Sequence, residues 1–244
     1  MAYFRVPTLT NPNIEIHVAT SPQEVQQANC LVFRSYVELG YWRDDPEDLE
    51  QNRYLSLGTR HVVVIADASN VIGTVSVIVD STNGLPADRF QPDVMRGLRQ
   101  QEWTIAEISS FAISKDQPHQ YNLFHFLMAF ILQYSFHYLA VDEFIAVCTP
   151  RHARFYELVY GFQKVMTTSF YDYVKVEAQM LTLNLVESYQ MFQQKHKDSE
   201  HSQNFFRFLY RDEHPVLRFP PREQIRRFRN MDWGIYDKGL SVAV

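Results

Sequence analysis

TIAEISSFAI, residues 104–113, decides how the rest of the chain is read. Ile105, Ile108, Phe111 and Ile113 make it apolar enough for a central strand. Yet a carboxylate, Glu107, stands in its middle, and two hydroxyls, Ser109 and Ser110, follow. An ionised carboxylate buried alone is costly, so Glu107 calls for a partner, a cleft, or both. Past Ser114–Gln117 an apolar stretch, Pro118–Leu139, reads as a long helix. Strand, short loop and helix start form an arrangement that aims backbone N–H groups at an anionic ligand.

Upstream, residues 1–13 form an arm and Ile14–Ala19 alternates as a strand. Ser21-Pro-Gln-Glu24 carries a cap, a first-turn proline and a capping-box glutamate. It opens a helix that runs to about Leu39 and stops at Gly40. Tyr41–Asp48, YWRDDPED, is an acidic, proline-broken loop. His61–Ala66 and Val71–Val79 flank Asp67–Asn70 as a hairpin, Thr82–Gln91 is turn-rich, and Pro92–Gln101 is a short helix. Downstream come a strand at Glu143–Cys148, a helix at Pro150–Tyr160 closed by Gly161, and strands at Phe162–Thr168 and Val174–Leu185. The order implies an α/β class with a mixed central sheet, hairpins at both ends and parallel crossovers in the middle. Residues 1–185 form the core on this reading. Val186–Asn204 turns polar and marks a boundary, so residues 186–244 form an Arg- and Pro-rich C-terminal extension, packed on the core or partly flexible.

The chain has 244 residues, 46% hydrophobic, enough for one large domain and a substantial core. A net charge of −5 argues against general nucleic-acid binding. Cys30 and Cys148 supply neither a disulfide framework nor a structural zinc set, which fits a reducing compartment. The N-terminus lacks a signal-peptide pattern, and Leu123–Leu139 is interrupted by His125, Gln133 and His137, so no transmembrane segment and a cytoplasmic location are expected. The histidines show no metal spacing and no Gly-x-Ser-x-Gly motif occurs, so neither a metal nor a covalent acyl-enzyme is expected.

Three stretches carry a resemblance. PRHARFYELVYGFQKV, residues 150–165, resembles the late helix of GNAT-fold acyltransferases, with Phe155, Tyr156 and the Gly161-Phe162 step. AEISSFAI, residues 106–113, is similar to the Glu-x-Ser-x-Phe strand of acyl-homoserine lactone synthases. NGLPADRFQPDVMRGLRQQEWTIAEISSFAI, residues 83–113, with FRSYVELGY at 33–41, looks like the N-acyl amino acid synthases of the N-acyltyrosine type. The resemblance spans roughly residues 14–185. It implies a GNAT-like sheet flanked by helices and transfer of a long acyl chain from acyl carrier protein to an amino-acid amine. The co-substrate is then an acyl-phosphopantetheine thioester, with no tightly bound cofactor. Two departures stand out. SKDQPHQYNLF, residues 114–124, has no glycine where coenzyme-A-using GNAT enzymes have a glycine-rich turn. Ser110 stands where lactone synthases usually carry arginine. A lactone synthase, an acetyl-CoA enzyme and a non-catalytic lipid- or carrier-binding module remain the alternatives.

Glu107 is the candidate base for the attacking amine, with a structural ion pair to Arg34 or Arg53 as the other reading. Ser109 and Ser110 are placed to hydrogen-bond the amine or the oxyanion, or to satisfy the backbone. On the resemblance, Arg34 clamps the substrate carboxylate; an ordinary i,i+4 bridge to Glu38 also explains it. Tyr36, Glu38, Tyr41, Trp42 and Phe111 are candidates for lining a substrate pocket, Asp44 for holding the amine, and Tyr156 for protonating the leaving thiolate; packing or a solvated loop is the rival account. Ala112, Ile113 and the helix start at His119, Gln120, Tyr121 and Asn122 are assigned to the phosphopantetheine arm. If residues 223–230 are helical, Arg222, Arg226 and Arg229 share a face that suits an acidic carrier protein.

Overall fold

The computed structural model describes residues 6–42, 59–165, 168–172, 174–200, 204–211, 214–221 and 223. Strand β4, Ile105–Ile113, lies inside a mixed sheet. On one side it pairs antiparallel with β3 (Asn70–Val79), which continues through β2 (Arg60–Asp67) to β1 (Ile14–Val18). On the other it pairs parallel with β5 (Glu143–Cys148), itself antiparallel to β8 (Val176–Asn184). Short strands finish the sheet: β6 (Gln163–Lys164) and β7 (Ser169–Tyr171) on β8, and β9 (Leu217–Arg218) parallel to β1. The α/β class with a mixed central sheet flanked by helices is the one expected from the sequence.

Helix α1, Pro22–Glu38, starts on the capping box read from the sequence: Ser21 Oγ accepts from Glu24 N, and the Glu24 carboxylate accepts from Ser21 N. Helix α2 spans Pro92–Arg99. Helix α3, Gln120–His137, begins two residues later than expected because His119 has φ +61°, which a right-handed helix cannot contain. It is apolar nearly all round because it is covered nearly all round. Leu127, Ala129, Phe130 and Ile131 have no exposure, packed between the sheet and the helices beyond residue 185. Helix α4, Pro150–Tyr160, closes on Gly161 at φ +78°.

Beyond residue 185 the chain keeps contributing to the same apolar cluster. Asn184 caps α5, Leu185–His196, which buries Tyr189 and Phe192. Helix α6, Phe205–Tyr210, buries five of its six side chains, all but Arg207. Gln133 of α3 donates to Leu209 O at 3.1 Å, and Phe219 stacks on Phe130 with ring centroids 4.7 Å apart. Among the described residues no helix is long and apolar enough to cross a membrane.

Candidate active site

Strands β4 and β5 pair only where Ile105–Ile108 meets Glu143–Ala146. Beyond that point they part. Against β3, Ser109 to Ala112 of β4 cover one residue more than Thr74 to Ser76 opposite, and Ser110 has φ +52°. Such a bulge bends its strand, and a left-handed φ at a non-glycine costs about 1–2 kcal/mol. From Ser109 onward the β5 side of β4 has no strand partner among the described residues.

A cavity of about 400 Å³ fills the wedge. One wall is β4 from Glu107 to Phe111; the opposite wall is Ala146–Thr149. The end of α1 and its exit contribute Tyr36, Leu39, Tyr41 and Trp42, with the Tyr36 ring 5.5 Å from Tyr41 and 4.8 Å from Trp42. Tyr121, Phe124, His152, Phe155 and Tyr156 come from α3 and α4. Pro86, Tyr171, Val174, Val176 and Ala178 close the remaining side.

Glu107 is 3% exposed, and one carboxylate oxygen accepts the Ala87 N–H at 2.7 Å. Burial pushes its pKa up to about 8; the Ala87 bond pulls it down, and the charges of Asp88 and Asp80 push it further up. The carboxyl therefore changes charge near neutrality, as a group that takes and releases a proton must. Its partner is this backbone N–H from the turn before α2, not Arg34. The phenols of Tyr36 and Tyr156 are raised by burial and stay protonated, so each is a donor. Burial also pushes the Cys148 thiol up to about 12, leaving it neutral. It lowers His152, aided by the neighbouring charge of Arg151, leaving a neutral imidazole 3.2 Å from the Thr149 hydroxyl.

Of the residues singled out in the sequence, the cavity gathers Glu107, Ser109, Ser110, Phe111, Tyr36, Tyr41, Trp42, Tyr121 and Tyr156. Others lie elsewhere. Arg34 is exposed on α1 and does not line the cavity, and Glu38 pairs with Lys115 at 2.6 Å. Ala112 and Ile113 face Thr74 and Gly73 in the β3 ladder. His119 caps α3, the Gln120 amide donates to Ser114 O, and the Asn122 amide donates to Thr8 O. Asp44, Arg53, Arg222, Arg226 and Arg229 lie outside the described residues. Helix α3 is buried over most of its surface and gives the cavity only Tyr121 and Phe124 among the described residues. The apolar wall comes instead from Val147, Val174, Val176 and Ala178. Pro86, Cys148, Thr149, His152 and Tyr171 join the site without having announced themselves in sequence as site residues.

The sequence model of the family described as N-acyl amino acid synthase FeeM matches residues 27–184. The chain belongs to that family. The FeeM-matched stretch contains every described residue that lines the cavity, from Tyr36 to Ala178. The solved structure of FeeM, an N-acyl amino acid synthase from uncultured soil microbes, is similar to this chain at a TM-score of 0.65 and 22% identity. The alignment covers 73% of this chain and 95% of that one. Two further structures align at lower scores. The acyl-homoserine lactone synthase LasI gives a TM-score of 0.49 at 16% identity, covering 70% of this chain and 90% of that one. An N-acetyltransferase from Staphylococcus aureus Mu50 gives 0.48 at 12%, covering 71% and 98%. No curated protein matches the chain. As a FeeM-family member the chain is an acyltransferase.

Proposed function

We propose that this FeeM-family chain joins a long acyl group, delivered as a phosphopantetheine thioester on acyl carrier protein, to the amine of an amino acid. The observation that carries the reading is Glu107: a buried carboxyl, ionising near neutrality, in the wall of a largely apolar cavity where two parallel strands part. Glu107 takes the ammonium proton, and the free amine attacks the thioester carbonyl. Backbone N–H groups on the unpaired side of β4, around the Ser110 bulge, face the developing oxyanion, with the Ser109 hydroxyl beside them. As the C–S bond breaks, the Tyr156 phenol protonates the departing thiolate; the second proton on the attacking nitrogen returns to the phenoxide through solvent as the amide forms, and Glu107 releases its own proton to solvent. Tyr36, Tyr41 and Trp42 surround the acceptor, while Val147, Val174, Val176 and Ala178 accept the start of the acyl chain. An acyl carrier protein donor makes the cytoplasm the compartment.

The donor choice rests on the helix start. Coenzyme A presents a pyrophosphate and a ribose phosphate, which glycine-rich backbone approaches best. Here His119, Gln120 and Tyr121 stand at that place, and the Gln120 side chain is engaged with Ser114 O. A carrier protein brings one phosphodiester and adds affinity through its own surface. Side-by-side kinetics with one acyl chain on each carrier test this. At least tenfold higher kcat/KM with the carrier protein is expected, about 1.4 kcal/mol. Equal or better efficiency with acyl-CoA rejects the carrier-protein donor, and mass spectrometry of the product identifies the amine.

A further inference from the structure

Arg99 lies at the end of α2 and does not line the cavity. Its guanidinium makes four hydrogen bonds: to Asp80 at 2.7 and 2.9 Å, and to Asp88 at 2.6 and 2.7 Å. Asp80 follows β3, and Asp88 lies in a 3₁₀ turn, Pro86–Arg89. The Asp88 carboxylate also accepts Leu85 N at 2.7 Å, closing the start of that turn. Just before it, Gly84 has φ +70°, and a Cβ there would stand 2.7 Å from the same carboxylate. Only glycine fits without moving it. The turn touches the site twice: Ala87 N donates to Glu107 at 2.7 Å, and the Tyr171 hydroxyl donates to Pro86 O at 3.1 Å.

We propose that Arg99 is a positioning residue for this reaction: by clamping Asp80 and Asp88 together it locks residues 85–89 so that Ala87 N–H stays on Glu107 and Pro86 O stays on the Tyr171 hydroxyl. The inference rests on the reading of Glu107 as the base. A paired fork is better pre-organised for two carboxylates than a point charge, which is why arginine is used here. Among the described residues, the charged and titratable groups facing Glu107 are Asp88 from the turn, Asp80 from the end of β3 and Tyr36 from α1. Releasing the clamp removes the N–H that favours the carboxylate and leaves two aspartates without their counter-charge. Both changes move Glu107 the same way, toward holding its proton.

The test is a ¹³C NMR titration of the Glu107 carboxyl, identified by its absence in Glu107→Gln, in the parent, Arg99→Lys and Arg99→Gln. The expected midpoint rises by about half a unit or more in Arg99→Lys, which keeps the charge but loses the fork, and further in Arg99→Gln. In the same variants kcat/KM at neutral pH falls about three- to tenfold relative to parent, and the deficit closes as pH rises. If Arg99→Gln does not fold, Arg99→Lys carries the test. An unchanged or lower midpoint in Arg99→Lys overturns the proposal, as does a rate loss equal at every pH. The titration needs no turnover, so it reports the clamp even if Glu107→Gln remains active and the base assignment fails.

Discussion

Glu107 and Glu143 are two buried carboxyls with different consequences. If Glu107 is the base, only its ionised form works, so kcat/KM climbs with pH until about 8 and levels off above it. Glu107→Gln keeps the shape, lowers turnover about 10²-fold or more, and removes that limb from the profile. A variant of near-parental activity would take Glu107 out of the mechanism. Glu143, 4% exposed at the start of β5, is pushed up to about 7 by burial, against hydrogen bonds from Thr182 and Asn184, and one oxygen has no hydrogen-bond partner among the described residues. A carboxyl raised in the folded state binds its proton more tightly there than when unfolded. The stability it supports is present below the ordinary value of 4.5 and is lost as pH rises through about 7. Glu143→Gln is therefore expected to be near-neutral for stability at about pH 5, and stabilising by about 1–3 kcal/mol at about pH 9. Urea melts at the two pH values decide it; equal effects at both would show that Glu143 is not titrating.

Elements with local signals were legible in the sequence. The capping box at Ser21 and Glu24, the proline and glycine bracketing α4, and the run forming β4 each fix an element from neighbouring residues alone. Gly161 illustrates this: its φ of +78° ends α4, so Gly161→Ala should cost about 1 kcal/mol in a denaturation melt and leave kcat/KM unaltered. A fall in activity greater than that in stability would give Gly161 a part in the site. Illegible elements were those defined by a distant partner. Two-residue strands β6 and β9 exist only through β8 and β1. The bulge at Ser110 is set by register with β3, and it is what opens the wedge. In the site, Glu107 could be suspected because a carboxylate in an apolar strand is anomalous by itself. Its hydrogen-bond partner could not, because Ala87 offers a backbone group from a stretch that reads only as a turn. Helical spacing put Glu38 beside Arg34, but Lys115 from the loop after β4 reaches it. A polar run at 186–204 suggested a boundary, while its buried stripe, Tyr189 and Phe192, was too sparse to show in composition.

At the scale of the molecule, the described residues after 185 act as a second cover for α3. Phe208, with no exposure, packs on Phe126 with centroids 5.0 Å apart. Phe208→Ala is expected to cost about 3–5 kcal/mol, read from a urea melt, as other buried aromatics do. A loss under about 1 kcal/mol would mean that α6 is loosely held. A chain ending at residue 185 would bare the outer face of α3 and is expected to lose its sharp unfolding transition. The two-residue strands have a separate consequence, for behaviour in concentrated solution. Among the described residues the sheet runs β6-β8-β5-β4-β3-β2-β1-β9, with the three-residue β7 also on β8, so both ends of this order are strands of two residues. A long bare margin is a template on which another copy can add. On the β1 side the guard is β9: Val216 O takes the Ile16 N–H at 2.7 Å, and Arg218 pairs with Glu15 at 2.9 Å, putting charge where a neighbouring strand would dock. A chain ending at residue 213 keeps α5 and α6 but unmasks β1. Its light scattering should grow with concentration while the 244-residue chain stays dispersed, a shelf-life property set by two residues far from the chemistry.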